Sequence, residues 1–248
     1  MATGQPVQGV QKEKSYFSQW FVVEEGVISL SLRSLTLVFS SIVTVTLLCI
    51  LVASCNDGTG QYVCTLQDWP MISDVINQEM YTRIFILETV IFMFSVQQAN
   101  VRAYYKQLYG KIDESRNSCI MNWGIVAMVA LPLIGIFDES RWTTVHGIMA
   151  GIFFGCFMIY SRQLSVALNE VKDQFDENTQ KAIGTMYTHV TGIIVTTLLF
   201  GASMAIKGHG GITAIFEWIA VLYYLNFFQL ASNANPYYDS VHEFTKQE

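Results

Sequence analysis

Charge is what this chain has least of. Only 14% of its 248 residues are Asp, Glu, Lys or Arg, against about 25% in an ordinary soluble domain. The few charges cluster between long apolar runs, which leaves no room for a separate soluble domain. The formal net charge is −6 and no basic stripe occurs, which argues against nucleic acid as a partner. Catalytic signatures are missing as well. There is no HExxH, no GxSxG, no P-loop, no glycine-rich dinucleotide turn and no His/Cys cluster with zinc spacing. No catalytic residue, metal site or cofactor is therefore expected. A prenylation box, a KDEL-type tail and an N-x-[ST] sequon are also lacking.

What the chain has instead is apolar length: 52% of residues are hydrophobic and mean hydropathy is +0.35. Six segments approach or reach the ~20 apolar residues that a bilayer-spanning helix needs. They are Leu35–Ala53, Ile84–Val101, Cys119–Phe137, Val145–Ser161, Ile183–Ile206 and Ile212–Ala231. Short connections, "DESRWTT" and "KGHGG", make the third and fourth, and the fifth and sixth, antiparallel hairpins. The fourth is short, so five spans with a re-entrant segment is the alternative count. The expected fold is all-α: a polytopic membrane protein with six transmembrane helices in one bundle, residues 35–231. A leader (1–34) precedes it, with an interfacial segment in "SYFSQWFVVEEGVISLSLRS", and a tail (232–248) follows.

Lys12, Lys14, Arg33, Arg102, Lys106, Lys111, Arg116, Arg162, Lys172, Lys181 and Lys246 all fall on one side of such a bundle. Arg83, Arg141 and Lys207 fall on the other. The positive-inside rule makes both termini cytoplasmic, or matrix-side in a mitochondrion. Endomembrane or plasma membrane is the favoured location, with the mitochondrial inner membrane kept open. On the opposite side, Cys55 and Cys64 share the first loop, where a disulfide is plausible if the compartment is oxidising. The alternative is two reduced thiols packed under the loop.

In the fourth span Gly147, Gly151 and Gly155 recur every four residues and so share one helix face. Small residues let helices approach closely in lipid. The expectation is a contact with another span of the same chain, or else a seam with a homodimer partner or another subunit. Gly184, Gly192 and Gly201 fit a tightly packed bundle too. Past the span, Leu164, Leu168, Val171 and Phe175 keep helical spacing, so the helix should continue beyond the bilayer.

Ionisable residues inside a membrane cost a few kcal/mol or more (about 3 on insertion scales) unless paired or wetted. Glu88, Glu217 and His146 all lie near the non-cytoplasmic ends of their spans, at the depth of Trp69, Trp142 and Trp218. Those tryptophans read as interfacial belt residues. The three titratable groups are expected to converge there. If Glu88 faces Glu217 closely, the two should not both ionise at neutral pH. The cluster reads as a polar knot that fixes helix register, as a pocket for a lipid headgroup or other ligand, as a catalytic site, or as part of an ion path. Ser73–Asp74 with His146 could be imagined as hydrolytic parts. His189 sits elsewhere, level with Gln97, Gln98, Asn100, Asn122, Asn226 and Gln229.

The loop signature "WPMISD" (Trp69 to Asp74) leads through an acidic spacer into span two. With "TTVHGIMAGIFFGCFMIYSRQL" and "FEWIAVLYYLNFF" it resembles the damage-regulated autophagy modulator family, of DRAM/Frag/Sfk type, over about residues 30 to 235. The resemblance implies a six-helix membrane protein with cytoplasmic termini and no known cofactor. That family includes lysosomal autophagy modulators, Golgi factors that remodel GPI-anchor lipid, and plasma-membrane proteins affecting phosphoinositide kinase recruitment and lipid asymmetry. Its pattern maps onto Pro70, Ser73, Asp74, His146, Glu217 and Trp218. Glu88 belongs to no motif of that family.

The leading expectation is thus a non-enzymatic protein that handles or organises membrane lipid through Asp74, Glu88, His146, Glu217 and Trp218. The alternative is an accessory subunit of a larger membrane complex. A lipid hydrolase or transferase ranks lower, and a transporter lower still, since the two halves show no repeat.

Overall fold

The computed structural model describes residues 21–24, 27–30, 32–56, 64–206 and 210–234. The outer parts of the expected leader and tail, and residues 207–209 of the last loop, lie outside the described residues. Eight α-helices are described: α1 (Leu32–Asn56), α2 (Ile72–Ile76), α3 (Glu79–Ile91), α4 (Gln98–Leu108), α5 (Glu114–Ile136), α6 (Glu139–Glu170), α7 (Glu177–Met204) and α8 (Gly210–Ala234). A single π-helical stretch, Phe92–Gln97, joins α3 to α4. The result is six helices long and apolar enough to cross a membrane, α3 through α4 counting as one of 30 residues. The protein is an all-α integral membrane protein.

The short fourth span was the weak point of the six-helix count. It is resolved by α6, which runs for 32 residues and carries Leu164 and Leu168 fully buried beyond the apolar run. The sequence under-read every span because polar residues close the helices. Three helices open on Asp-Glu. Asp113 accepts the Arg116 N–H at 3.0 Å, Asp138 the Arg141 N–H at 2.9 Å, and Asp176 the N–H groups of Asn178 and Thr179 at 3.0 and 3.1 Å. Each satisfies amides that the first turn leaves without partners, and the following glutamate suits the positive end of the helix dipole.

One part of the leader differs from the all-helical expectation. Where an interfacial segment was read, Phe21–Glu24 pairs antiparallel with Val27–Leu30 as the hairpin β1–β2. The β-branched and aromatic residues on either side of "EEG" suit a two-stranded ribbon.

Consecutive spans run antiparallel, so the bundle has a loop end, carrying α2 and the α5–α6 turn, and a tail end. Its centre is aromatic. Phe157 of α6 stacks on Tyr224 of α8 at 4.6 Å, and Phe228 meets Phe157 at 5.1 Å and Phe92 at 4.9 Å. Tyr224 donates its hydroxyl to the Phe154 carbonyl at 3.0 Å and shares a 2.7 Å hydrogen bond with Thr197. Gly192 lets α7 meet α8: a Cβ there would lie 2.2 Å from the Tyr223 ring.

The tail end holds a network of uncharged polar groups. The Asn100 amide donates to Thr36 Oγ1 at 3.1 Å and Gln97 Oε1 at 3.3 Å, and Gln229 donates to Ser40 Oγ at 3.3 Å. Tyr104 donates to the Ala231 carbonyl, and Gln107 to that of Ala234 at 3.3 Å. The network ties α1, α4 and α8 together. The π stretch makes it reachable, because its extra residue turns the helix after Phe92 so that Gln97 and Asn100 face inward.

The glycine stripe corrects an expectation. A Cβ at Gly147, Gly151 or Gly155 would have nothing within 4 Å, and Ile148 beside them is 52% exposed. The stripe is not a contact with another span of this chain. α6 packs instead through Phe153, Phe157, Tyr160 and Leu164, and the glycines look away from the bundle. Gly184 and Gly201 are open in the same way, whereas Gly192 packs as expected.

Candidate functional site at the loop end

The segment between α1 and α3 is strapped down at four points. A Cys55–Cys64 disulfide, Cα–Cα 5.8 Å, ties its start to the end of α1. The backbone then crosses the first turn of α8, where a Cβ on Gly211 would lie 2.2 Å from the Leu66 carbonyl oxygen. Further on, Trp218 Nε1 donates to the Pro70 carbonyl at 3.0 Å. Finally the Ile72 N–H donates to Glu217 Oε2 at 2.8 Å. Because α2 starts at Ile72, this amide is one that its own helix leaves without a partner, and a buried carboxylate receives it.

Trp218 is therefore no belt residue. It is buried, and its indole N–H is spent on the loop. Trp142 is exposed and Trp69 half-buried, as residues at a rim should be.

His146 is buried next to the start of α6. Its Nδ1 lies 3.1 Å from the Ile134 carbonyl and 3.0 Å from that of Phe137. Carbonyls only accept, so Nδ1 carries the proton, and the ring caps orphan carbonyls at the end of α5. In the neutral ring Nε2 then keeps its lone pair.

Glu217, His146 and Ser73 line one cavity of about 70 Å³. Below them the walls are apolar, among them Leu47, Phe92, Phe153 and Phe228, with Tyr224 at the side. One enclosed water needs only about 10–15 Å³, so several small atoms fit and a whole lipid does not. A second cavity of about 10 Å³ shares Ser73, Ile76, Ile134 and His146 with the first. Its lining also includes Asn77, Asp138 and Glu139 at the rim. Ser73 and His146 thus border both cavities.

Asp74 is half-buried one residue beyond Ser73, and its carboxylate accepts the Met71 N–H at 2.9 Å. Burial raises its pKa above the ordinary value, the Met71 N–H opposes this, and the charge of Glu139 adds to it. Asp138 is held below the usual carboxylate range, first by the Ser140 hydroxyl and then by the Arg141 amide and charge. Asp74 and Glu139 are both within electrostatic reach of Glu217. Among the described residues no group of three His, Cys, Asp or Glu comes together to hold a metal ion.

The sequence-derived cluster is thus only partly brought together. Ser73, His146 and Glu217 share the chamber, with Asp74 and the Trp69–Pro70 backbone packed behind them. Glu88 does not join. It is half-buried on α3, and its Oε1 accepts the Thr46 hydroxyl of α1 at 2.7 Å. The neighbouring Thr89, about 100° around the helix, is the residue that lines the chamber. The expected Glu88–Glu217 pair does not form. Two participants carried no signal in the sequence: the Ile72 amide and the Gly211 crossing.

A model of the family described as Frag1/DRAM/Sfk1/Cwh43P N-terminal domain matches residues 31–233. No curated protein and no solved structure matches the chain.

Proposed function

The chain belongs to the Frag1/DRAM/Sfk1/Cwh43P family, and we propose that it handles membrane lipid, without a catalytic step, by holding a headgroup at its loop end. The observation that carries this reading is the chamber. It has apolar walls, a polar roof of Ser73, His146 and Glu217, and a smaller cavity beside it whose lining includes the rim residues Asp138 and Glu139. Small-molecule sites have this composition, apolar with a few convergent polar groups. At about 70 Å³ the chamber suits the tip of a headgroup whose tail stays in the bilayer. The distribution of Lys and Arg supports a non-cytoplasmic loop end. The Cys55–Cys64 disulfide supports an oxidising compartment there, an endomembrane lumen or the cell exterior.

The test is to purify the full chain in mild detergent and quantify lipid that stays bound. Ala150→Phe places a ring in the chamber, which Ala150 lines. Loss of bound lipid from a variant that still elutes as a single folded species supports the reading. Unchanged lipid contradicts it.

A second reading, an accessory subunit, is favoured by one observation. The open stripe Gly147–Gly151–Gly155 leaves room for a helix from a second copy or another chain. Gly151→Leu should then break co-migration with a partner. If the purified species keeps its size, this reading falls.

A further inference from the structure

Two buried side chains at the chamber each spend one polar atom and keep another. Glu217 gives Oε2 to the Ile72 amide. Among the described residues its Oε1 meets no hydrogen-bond partner. His146 spends Nδ1 on the carbonyls of Ile134 and Phe137, and its Nε2 meets none either. Both residues are 7% exposed. Both line the one cavity. Buried acceptors of this kind are normally satisfied, so the chamber calls for an occupant that donates.

Charge narrows the occupant further. Among the described residues, no Lys or Arg lines the chamber or the smaller cavity beside it. Glu217 lies in the first, Asp138 and Glu139 line the second, and Asp74 is within electrostatic reach. A phosphate or carboxylate tip would face the carboxyl groups of Glu217, Asp138 and Glu139. A hydroxyl brings only one hydrogen for the two acceptors, Oε1 and Nε2. A quaternary ammonium brings charge, and the aromatic walls would accept it, but it has no N–H to offer Oε1 and Nε2.

We propose, resting on the headgroup-site reading above, that the group taken into this chamber is the primary ammonium of an aminolipid such as an ethanolamine phospholipid. Its three N–H donors match Glu217 Oε1, His146 Nε2 and the Ser73 side chain. The positive charge has Asp138 and Glu139 in the smaller cavity beside it, while the phosphate stays outside among the bilayer headgroups. An aminoethyl tip also suits a cavity of about 70 Å³.

The experiment uses the full chain in mild detergent with lipids of matched acyl chains. They are phosphatidylethanolamine, its N-methyl and N,N-dimethyl derivatives, phosphatidylcholine and phosphatidylglycerol. Lipid retained per chain is measured after washing. Retention should fall at each methylation, by at least about 10-fold from ethanolamine to choline, as donors are lost. Phosphatidylglycerol should not be retained. Glu217→Gln keeps an acceptor for the Ile72 amide and should erase the preference. If that variant fails to fold, the methylation series on the unaltered chain still decides. Equal retention of choline and ethanolamine lipids, or preference for phosphatidylglycerol, would overturn the proposal. So would displacement by soluble ethanolamine at the same concentration as the lipid. Choline lipid that is retained and then lost in Ala150→Phe would leave the headgroup site standing and remove only the ammonium. No retained lipid of any kind would remove both.

Discussion

The two ends of the bundle use polar residues in opposite ways. At the tail end Asn100, Thr36, Gln97, Gln229 and Ser40 are uncharged, and they are bonded to one another across α1, α4 and α8. At the loop end the polar groups are ionisable, they border a cavity, and Glu217 and His146 keep atoms back from the protein. The tail-end network uses most of its hydrogen-bonding capacity in holding helices together, and its one buried atom without a partner among the described residues, Gln107 Oε1, is sealed in the packing rather than set beside the chamber. The loop end holds its helices with backbone crossings, a disulfide and one indole bond, and leaves side-chain capacity over. Function is therefore sought at the loop end, and tail-end substitutions should act on stability alone.

The largest expected effect comes from Gly211. The atoms facing its missing Cβ are backbone carbonyls of Leu66 and Gln67, which cannot swing aside. Gly211→Ala should cost about 1–3 kcal/mol, the range for overpacking, and should loosen the strap over the chamber. Gly147→Ala is the matched control. Nothing lies within 4 Å of its Cβ, so the helix propensity of alanine should leave it neutral or up to about 1 kcal/mol more stable. Thermal melting of both in the same detergent checks the pair, and equal losses would show that the strap is not rigid.

Next in size is Asn100→Leu. It removes the donor to Thr36 and Gln97 at a buried site. The expected cost is about 1–2 kcal/mol, for a hydrogen bond lost and polar partners left behind. Retained lipid should not change.

A smaller effect is expected at Glu88. Glu88→Gln keeps an oxygen for the Thr46 hydroxyl, so stability should move by less than about 0.6 kcal/mol, the average for an interhelical bond in membranes. Lipid retention should stay as it was. A lipid defect there would mean that Glu88 belongs to the site after all.

The smallest effect is a pH slope at Asp74. Burial sets its folded pKa above the ordinary value of 3.8. As pH rises from that value through the folded one, the folded protein holds more protons than the unfolded, so stability falls across the window and is level above it. Asp74→Asn should flatten that part of the melting-temperature profile. A profile whose stability rises with pH there, and is altered in the opposite sense by the substitution, would reverse the assignment.

How much of this was legible in the sequence depended on which coordinate was asked for. Height along the membrane normal follows from counting residues, so Glu88, Glu217 and His146 could be placed at one level. Direction around the helix follows only from packing. Glu88 and Thr89 differ by about 100° in azimuth, and this decided that the threonine lines the chamber while the glutamate turns to α1. The same ambiguity hid the outward aim of Gly147, Gly151 and Gly155, since a four-residue spacing shows a shared face but not what it meets. Trp218 was misread as a rim residue because the loop that buries it carries no apolar signal of its own. The Asp-Glu openings of α5, α6 and α7 were legible in principle as caps. They lay outside the apolar windows that defined the spans.

The account's central claim is that the loop end binds and the tail end holds. Native mass spectrometry of the gently solubilised chain tests it most directly, with unaltered protein, Glu217→Gln and Asn100→Leu compared side by side. The account predicts a stoichiometric lipid on the unaltered chain, its loss in Glu217→Gln, and its retention on a less stable Asn100→Leu. Lipid kept by Glu217→Gln, or lost equally from both variants, would contradict it.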